Sequence, residues 1–190
     1  MLFITTALSA SSFSSAEMLS EEARSDLESG EFLFCKGGCD MKAGGAIQLT
    51  LLNEYGKLAL EGRFGGNVVL IAVPDEENLS AGMRGAATKL AELKRTHGLQ
   101  YRLMINSEPH QRREKDIGVF SLGTVGKLMP LFGAFYDIPL ADIHAISMPG
   151  INIGPWGKDF HKLSERVLTE DVCNRTPRIL DAAVKYMLHN

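Results

Sequence analysis

The sequence predicts an α/β protein built in three layers, a mostly parallel, mixed sheet with helices on both faces. Three observations carry this. Asn67 to Val73 reads NVVLIAV, a near-continuous β-branched run of the kind found in strands buried on both sides. Segments of helical periodicity lie on either side of that run, so strands and helices alternate along the chain. Acidic clusters follow the strand ends, where ligands sit in open sheets of this type.

Taken in order, Leu19, Ala23 and Leu27 recur at helical spacing among acidic residues, which predicts an amphipathic helix over about 17–28 that stops at Ser29-Gly30. A short strand, Phe32 to Cys35, follows. Beyond a Gly-rich turn, Ala46-Ile47, Leu49, Leu51-Leu52 and Leu58 predict a long helix beginning just past Asp40, although Gly44, Gly45 and Gly56 weaken it. The NVVLIAV strand then delivers Pro74-Asp75-Glu76-Glu77 at its C-terminal end. Ser80 to Thr96 is helical in pattern with Gly98 placed as its cap, and Tyr101 to Ile105 is the next strand, with NSEPH at its end. Residues 116–126 suggest another strand, and a last helix runs from about Pro177 to Leu188. The Gly- and Pro-rich stretch 130–160 between them resists assignment.

With 190 residues, 45% hydrophobic and 23% charged, the chain can bury a core without staples, so we expect a single domain over 1–190, with 1–16 left unassigned. A net charge of −3 offers no basic stripe for a phosphate backbone, so nucleic acid is not an expected partner. The opening MLFITTALSASSFSSA lacks a basic leader and is too short to span a bilayer, so no membrane association is expected, with a signal peptide as the minor alternative. Three cysteines, Cys35, Cys39 and Cys173, are an odd and sparse set that fits a reducing compartment, and the cytoplasm is the expected location.

Four separated segments carry groups suited to a borderline cation and a hydrolytic base. In KGGCDMKAGG, Asp40 ends a glycine turn before a helix; the plain alternative makes it a helix N-cap. In PDEE, three adjacent carboxylates repel one another unless a cation or proton compensates, against the alternative of an acidic surface turn. NSEP sets Glu108 past a strand and before a proline. GPWGKDFHKLSERV sets His161 in a polar, loop-like stretch, where a lone histidine is more often structural. His110 and His144 read as surface or packing residues, and Cys35 and Cys39 as small packed ones.

In their order and wording, these four segments resemble the family of zinc aminoacylases, succinyl-diaminopimelate desuccinylases and related carboxypeptidases, over most of residues 20–190. GPWGKD suggests the arginine-utilisation branch. The resemblance implies a zinc exopeptidase-like catalytic domain in which Asp40 bridges two metals, Glu76 is the general base, Glu77 a metal ligand, Glu108 the third carboxylate ligand and His161 the late histidine ligand. It also implies one or two zinc ions, with cobalt or manganese as substitutes, and hydrolysis of amide bonds in N-acyl amino acids or small peptides.

The chain departs from that pattern in two places. No histidine precedes His97, so the family's upstream HxD-type ligand is expected to be absent. Only a short stretch separates LGTVGKLMPLF from MPGINIGPWGKD, so the lid domain is expected to be absent too. Asp40, Glu77 and His161 then form the complete ligand set, and Asp40 with Glu108 a partial one. The alternative reading is a degenerate, non-catalytic member that binds metal or serves as a scaffold. Loss of the lid would expose Phe132, Phe135 and Tyr136, and self-association through that apolar patch is the hypothesis it raises.

Overall fold

The computed structural model describes residues 18–75, 80–110 and 137–189. Five helices and five short strands are defined among them, in an α/β arrangement. They fall into two compact units, one comprising Met1–Val68, Asn106–Val119 and Asn152–Asn190, the other Val69–Ile105 and Phe120–Ile151.

The first unit opens with α1 (Glu21–Ser29). The Ser20 side chain accepts from the Ala23 amide, which satisfies one donor of the first turn, and Gly30 closes the helix at φ 69°. The expected apolar spacing is the buried face: Leu19, Ala23 and Leu27 pack with Phe34 of β1 (Phe32–Phe34). A kinked turn over Gly38–Ala43, with a cis Asp40–Met41 peptide, leads into α2 (Gly44–Leu60). Asp40 and Met41 leave helical geometry inside this turn, and the residue preceding α2 is Ala43, so Asp40 is not that helix's N-cap.

A three-stranded sheet in the order β1-β5-β4 forms the rest of this unit's frame, with β4 (Gly157–Lys158) and β5 (Arg166–Leu168). Both pairings are antiparallel: Leu33 faces Val167 and Phe34 faces Arg166 on one side of β5, while Lys158 faces Arg166 on the other. Beneath it Cys39, Ala43 and Val167 form a second buried cluster joined by Leu33, Phe160 and Val172. The final helix, α5 (Thr176–His189), matches the expected one to within a residue at each end. It packs on α2, where the Tyr55 hydroxyl donates to Asp181 Oδ1 at 3.1 Å.

The second unit contains α3 (Ala81–His97), capped by Gly98 at φ 67°, and α4 (Leu140–Ala145). Lys94 Nζ reaches the Ala145 carbonyl at 2.6 Å and Arg95 lies 3.7 Å from Asp142. The chain leaves this unit along β2 (Met104–Asn106) and again along β3 (Gly150–Asn152), which pair as a two-stranded sheet. Met104 N donates to Pro149 O and Ile153 N to Asn106 O, so the bonds advance in the same sense on both segments, as parallel strands do. The bridge between His110 and Trp156 further on is parallel as well.

Two expectations need correcting. Residues 67–73 form no strand: Val68, Val69 and Ile71 are exposed, Val69 at 49%, and no strand pairs with them among the described residues. A β-branched run records a need for burial, but a ladder also needs neighbours. The strand expected at 101–105 lies at Met104–Asn106, shifted towards NSEP. The three-stranded sheet is antiparallel, because its strands are joined by hairpin-like returns and a sequence-distant edge rather than by helical crossovers. Residues 116–126, with Phe132, Phe135 and Tyr136, lie outside the described residues, as does the opening segment 1–16.

Candidate metal centre

The kinked turn after β1 brings Asp40 to the loop between β4 and β5. There Asp40 Oδ2 lies 3.1 Å from His161 Nε2. The Asp40 side chain is 20% exposed and that of His161 63%, so the pair sits at the rim of the first unit. Asp159 and His161 both hold positive φ, 56° and 62°, which turns this short loop back towards the Gly38–Ala43 kink.

Two consecutive charged residues anchor the arrangement from below. Glu165, 2% exposed, accepts hydrogen bonds from three backbone amides of the preceding turn: Gly37 on Oε2 at 2.8 Å, and Cys39 and Asp40 on Oε1 at 2.9 Å each. Arg166, 1% exposed, points the other way. Its Nε donates to Asp26 Oδ2 at 2.6 Å, and its Nη1 donates to Asp159 Oδ2 and to the Ser164 carbonyl. Its guanidinium also lies over the rings of Phe32 and Phe34, at 6.0 and 5.6 Å.

Lys158 joins the same network through Asp26 and Glu22, both at 2.8 Å, and lies over Phe32 and Trp156. Burial opposes charging the Lys158 amine, but the hydrogen bonds to Asp26 and Glu22 outweigh it and hold its pKa above the ordinary lysine value. For Asp159, burial likewise opposes ionisation, and the hydrogen bonds from Arg166, Ser164 and Lys162 win, so its carboxyl stays below the usual range. Asp171, fully buried, accepts from the Trp156 amide at 3.0 Å and from Arg175 at 2.7 Å, which fixes the other end of the segment.

Glu108 enters from β2. Its carbonyl accepts from Asn152 Nδ2 at 2.9 Å, and Gln48 of α2 donates to the neighbouring Ser107 hydroxyl at 2.8 Å. The backbone here passes so close to its neighbours that a Cβ on Gly154 would fall 1.8 Å from the Glu108 carbonyl oxygen, and one on Gly44 2.2 Å from that of Ser107. The Cys39 thiol of the kinked turn is buried. Burial first, then the carboxylates of Glu165 and Asp40, the Cys35 thiol and the Glu108 carboxylate raise its pKa, so it stays a protonated packing group. Asp40 and Glu108 thus act on the same buried sulfur.

Of the residues singled out in the sequence, Asp40 and His161 are side by side and Glu108 belongs to the same unit. Glu76 and Glu77 lie outside the described residues; Asp75, just before them, has φ 62°. His144 is exposed on α4, and His110 Nδ1 lies 2.9 Å from the Gly154 carbonyl. Among the described residues no group of three His, Cys, Asp or Glu side chains is arranged to hold a metal ion, and no helix is long and apolar enough to cross a membrane. The donor pair itself fits a borderline cation: two ligand atoms bound to one zinc at about 2.0–2.2 Å are spaced much as Asp40 and His161 are.

Glu165 and Arg166 were missed in the sequence because charged residues are placed on the surface by default. The available signal was their position directly before Val167-Leu168, within a strand-like run.

Residues 16–186 match the model of peptidase family M20/M25/M40, and the chain belongs to that family. It is 42% identical over 120 residues to the uncharacterized protein YqjN of Bacillus subtilis (strain 168), covering 61% of this chain and 21% of that protein. It is 32% identical over 115 residues to protein RocB of the same organism, covering 59% of this chain and 20% of RocB. The chain therefore spans about a fifth of the length of these curated relatives. No solved structure matches it.

Proposed function

We propose that the chain carries the ligand loops of a zinc-dependent amidohydrolase acting on N-acyl amino acids or small peptides, in a protein that serves amino-acid or arginine utilisation. Membership of the peptidase family supports the reaction class, and similarity to RocB supports the branch. The observation that carries the reading is the 3.1 Å approach of Asp40 and His161. Asp40, Glu77 and His161 would hold one ion, and Asp40 with Glu108 would contribute to a second. When bound, zinc, or cobalt or manganese in its place, supplies Lewis acidity towards an amide carbonyl. Glu76 is the proposed base: its carboxylate takes a proton from the attacking water and returns it to the departing amine. We further propose that the catalytic domain is completed as a three-layer sheet in the cytoplasm, as the family resemblance implies.

The test is zinc calorimetry on metal-free protein, comparing wild type with Asp40→Ala, Glu77→Ala and His161→Ala, followed by amide hydrolysis assays on N-acyl amino acids and dipeptides. Loss of one equivalent of zinc in Glu77→Ala and His161→Ala and of all zinc in Asp40→Ala, with turnover by the wild type, is the expected result. Zinc binding without turnover would favour the degenerate, non-catalytic reading, and an undiminished zinc stoichiometry in His161→Ala would overturn the assignment.

A further inference from the structure

The buried Glu165 has no part in the chemistry proposed above, yet it accepts three hydrogen bonds beside the site. Both of its oxygens are committed to the backbone of the turn that carries Asp40, and one of the three donors is the amide of Asp40 itself. The next residue, Arg166, holds Asp159 and the Ser164 carbonyl, which bracket His161. Glu165 and Arg166 are adjacent and point to opposite sides, so one short stretch of chain fixes the loop of each member of the pair.

We propose that Glu165 is a positioning residue, acting through the Gly37–Asp40 backbone to hold the Asp40 carboxylate in register with His161. This rests on the reading of Asp40 and His161 as metal ligands for its effect on zinc, but not for its effect on the metal-free pair. Substituting glutamine keeps the size but turns an amide N–H₂ towards backbone N–H donors, so at least one of the three bonds is lost.

Two measurements test it on the intact chain, with Asp181→Asn as a control that alters a hydrogen-bonded carboxylate of the same unit away from both loops. In metal-free protein, the His161 ring resonance should move in Glu165→Gln in the same direction as in Asp40→Asn, and stay put in Asp181→Asn. By calorimetry, zinc affinity should fall roughly 10- to 100-fold in Glu165→Gln, the usual effect of removing a group that orients a ligand, and hold in Asp181→Asn. Wild-type values for both readouts in Glu165→Gln would overturn the proposal. If the wild type takes up no zinc, the metal reading fails while the resonance still decides the positioning role. Should Glu165→Gln not fold, amide exchange in the wild type reads the same bonds: slow exchange at Cys39 and Asp40 supports the proposal, and rapid exchange there overturns it.

Discussion

At the residue scale the molecule depends on absent side chains as much as present ones. Gly154 and Gly44 let backbone pass against the carbonyls of Glu108 and Ser107, whereas nothing lies within 4 Å of a Cβ built on Gly45. Gly154→Ala and Gly44→Ala should each cost about 1–3 kcal/mol through overpacking. Gly45→Ala, next door in α2, should be neutral or stabilise by up to about 1 kcal/mol. Urea unfolding of the three variants checks this, and equal midpoints for Gly44→Ala and Gly45→Ala would contradict it. The proximity of Asp40 to His161 was legible in the sequence because each sits in a motif whose wording is specific. Glu165 and Arg166 were not, because burial of a charge depends on partners that come from other parts of the chain, here the Gly37–Asp40 amides and Asp26 with Asp159.

Elements whose pattern is satisfied locally were the most readable. Ser20, the Leu19-Ala23-Leu27 stripe and Gly30 specify α1 without reference to anything distant, and α3, α5 and β1 followed in the same way. Leu27→Ala should cost about 2–5 kcal/mol, since it opens a cavity between α1 and β1. Strands were read poorly because pairing is non-local: NVVLIAV has the composition without a strand neighbour among the described residues, and Arg166–Leu168 has the neighbours without an apolar run.

The α2–α5 contact yields a prediction about pH. Burial, then the charge of Asp181 and its hydrogen bond, raise the Tyr55 hydroxyl above its ordinary value of 10.0. A raised folded pKa means that this contribution to stability is complete below about pH 10, the unfolded phenol value. It is lost as the pH climbs from there through the folded value. Stability measured by urea between pH 8 and 11 should therefore fall more steeply in the wild type than in Tyr55→Phe, and parallel slopes would refute it.

For the whole molecule, metal and fold should be linked. If zinc binds the folded chain alone, a hundredfold excess over its Kd adds about 2.7 kcal/mol of stability. Thermal unfolding with and without zinc should show an upward shift in the wild type that His161→Ala abolishes. The comparison belongs on the intact chain, because the sheet and the buried charges beneath it hold the Asp40 and His161 loops together. That buried pair has a further consequence for how the chain threads. A strand slipped by one residue exchanges its two faces. Around β5 a slip in one direction would set the Arg166 guanidinium against the three amide hydrogens that Glu165 accepts, and a slip in the other would set the Glu165 carboxylate against Asp26 and Asp159. Two adjacent charges of opposite sign thus penalise both of the nearest misalignments of the strand.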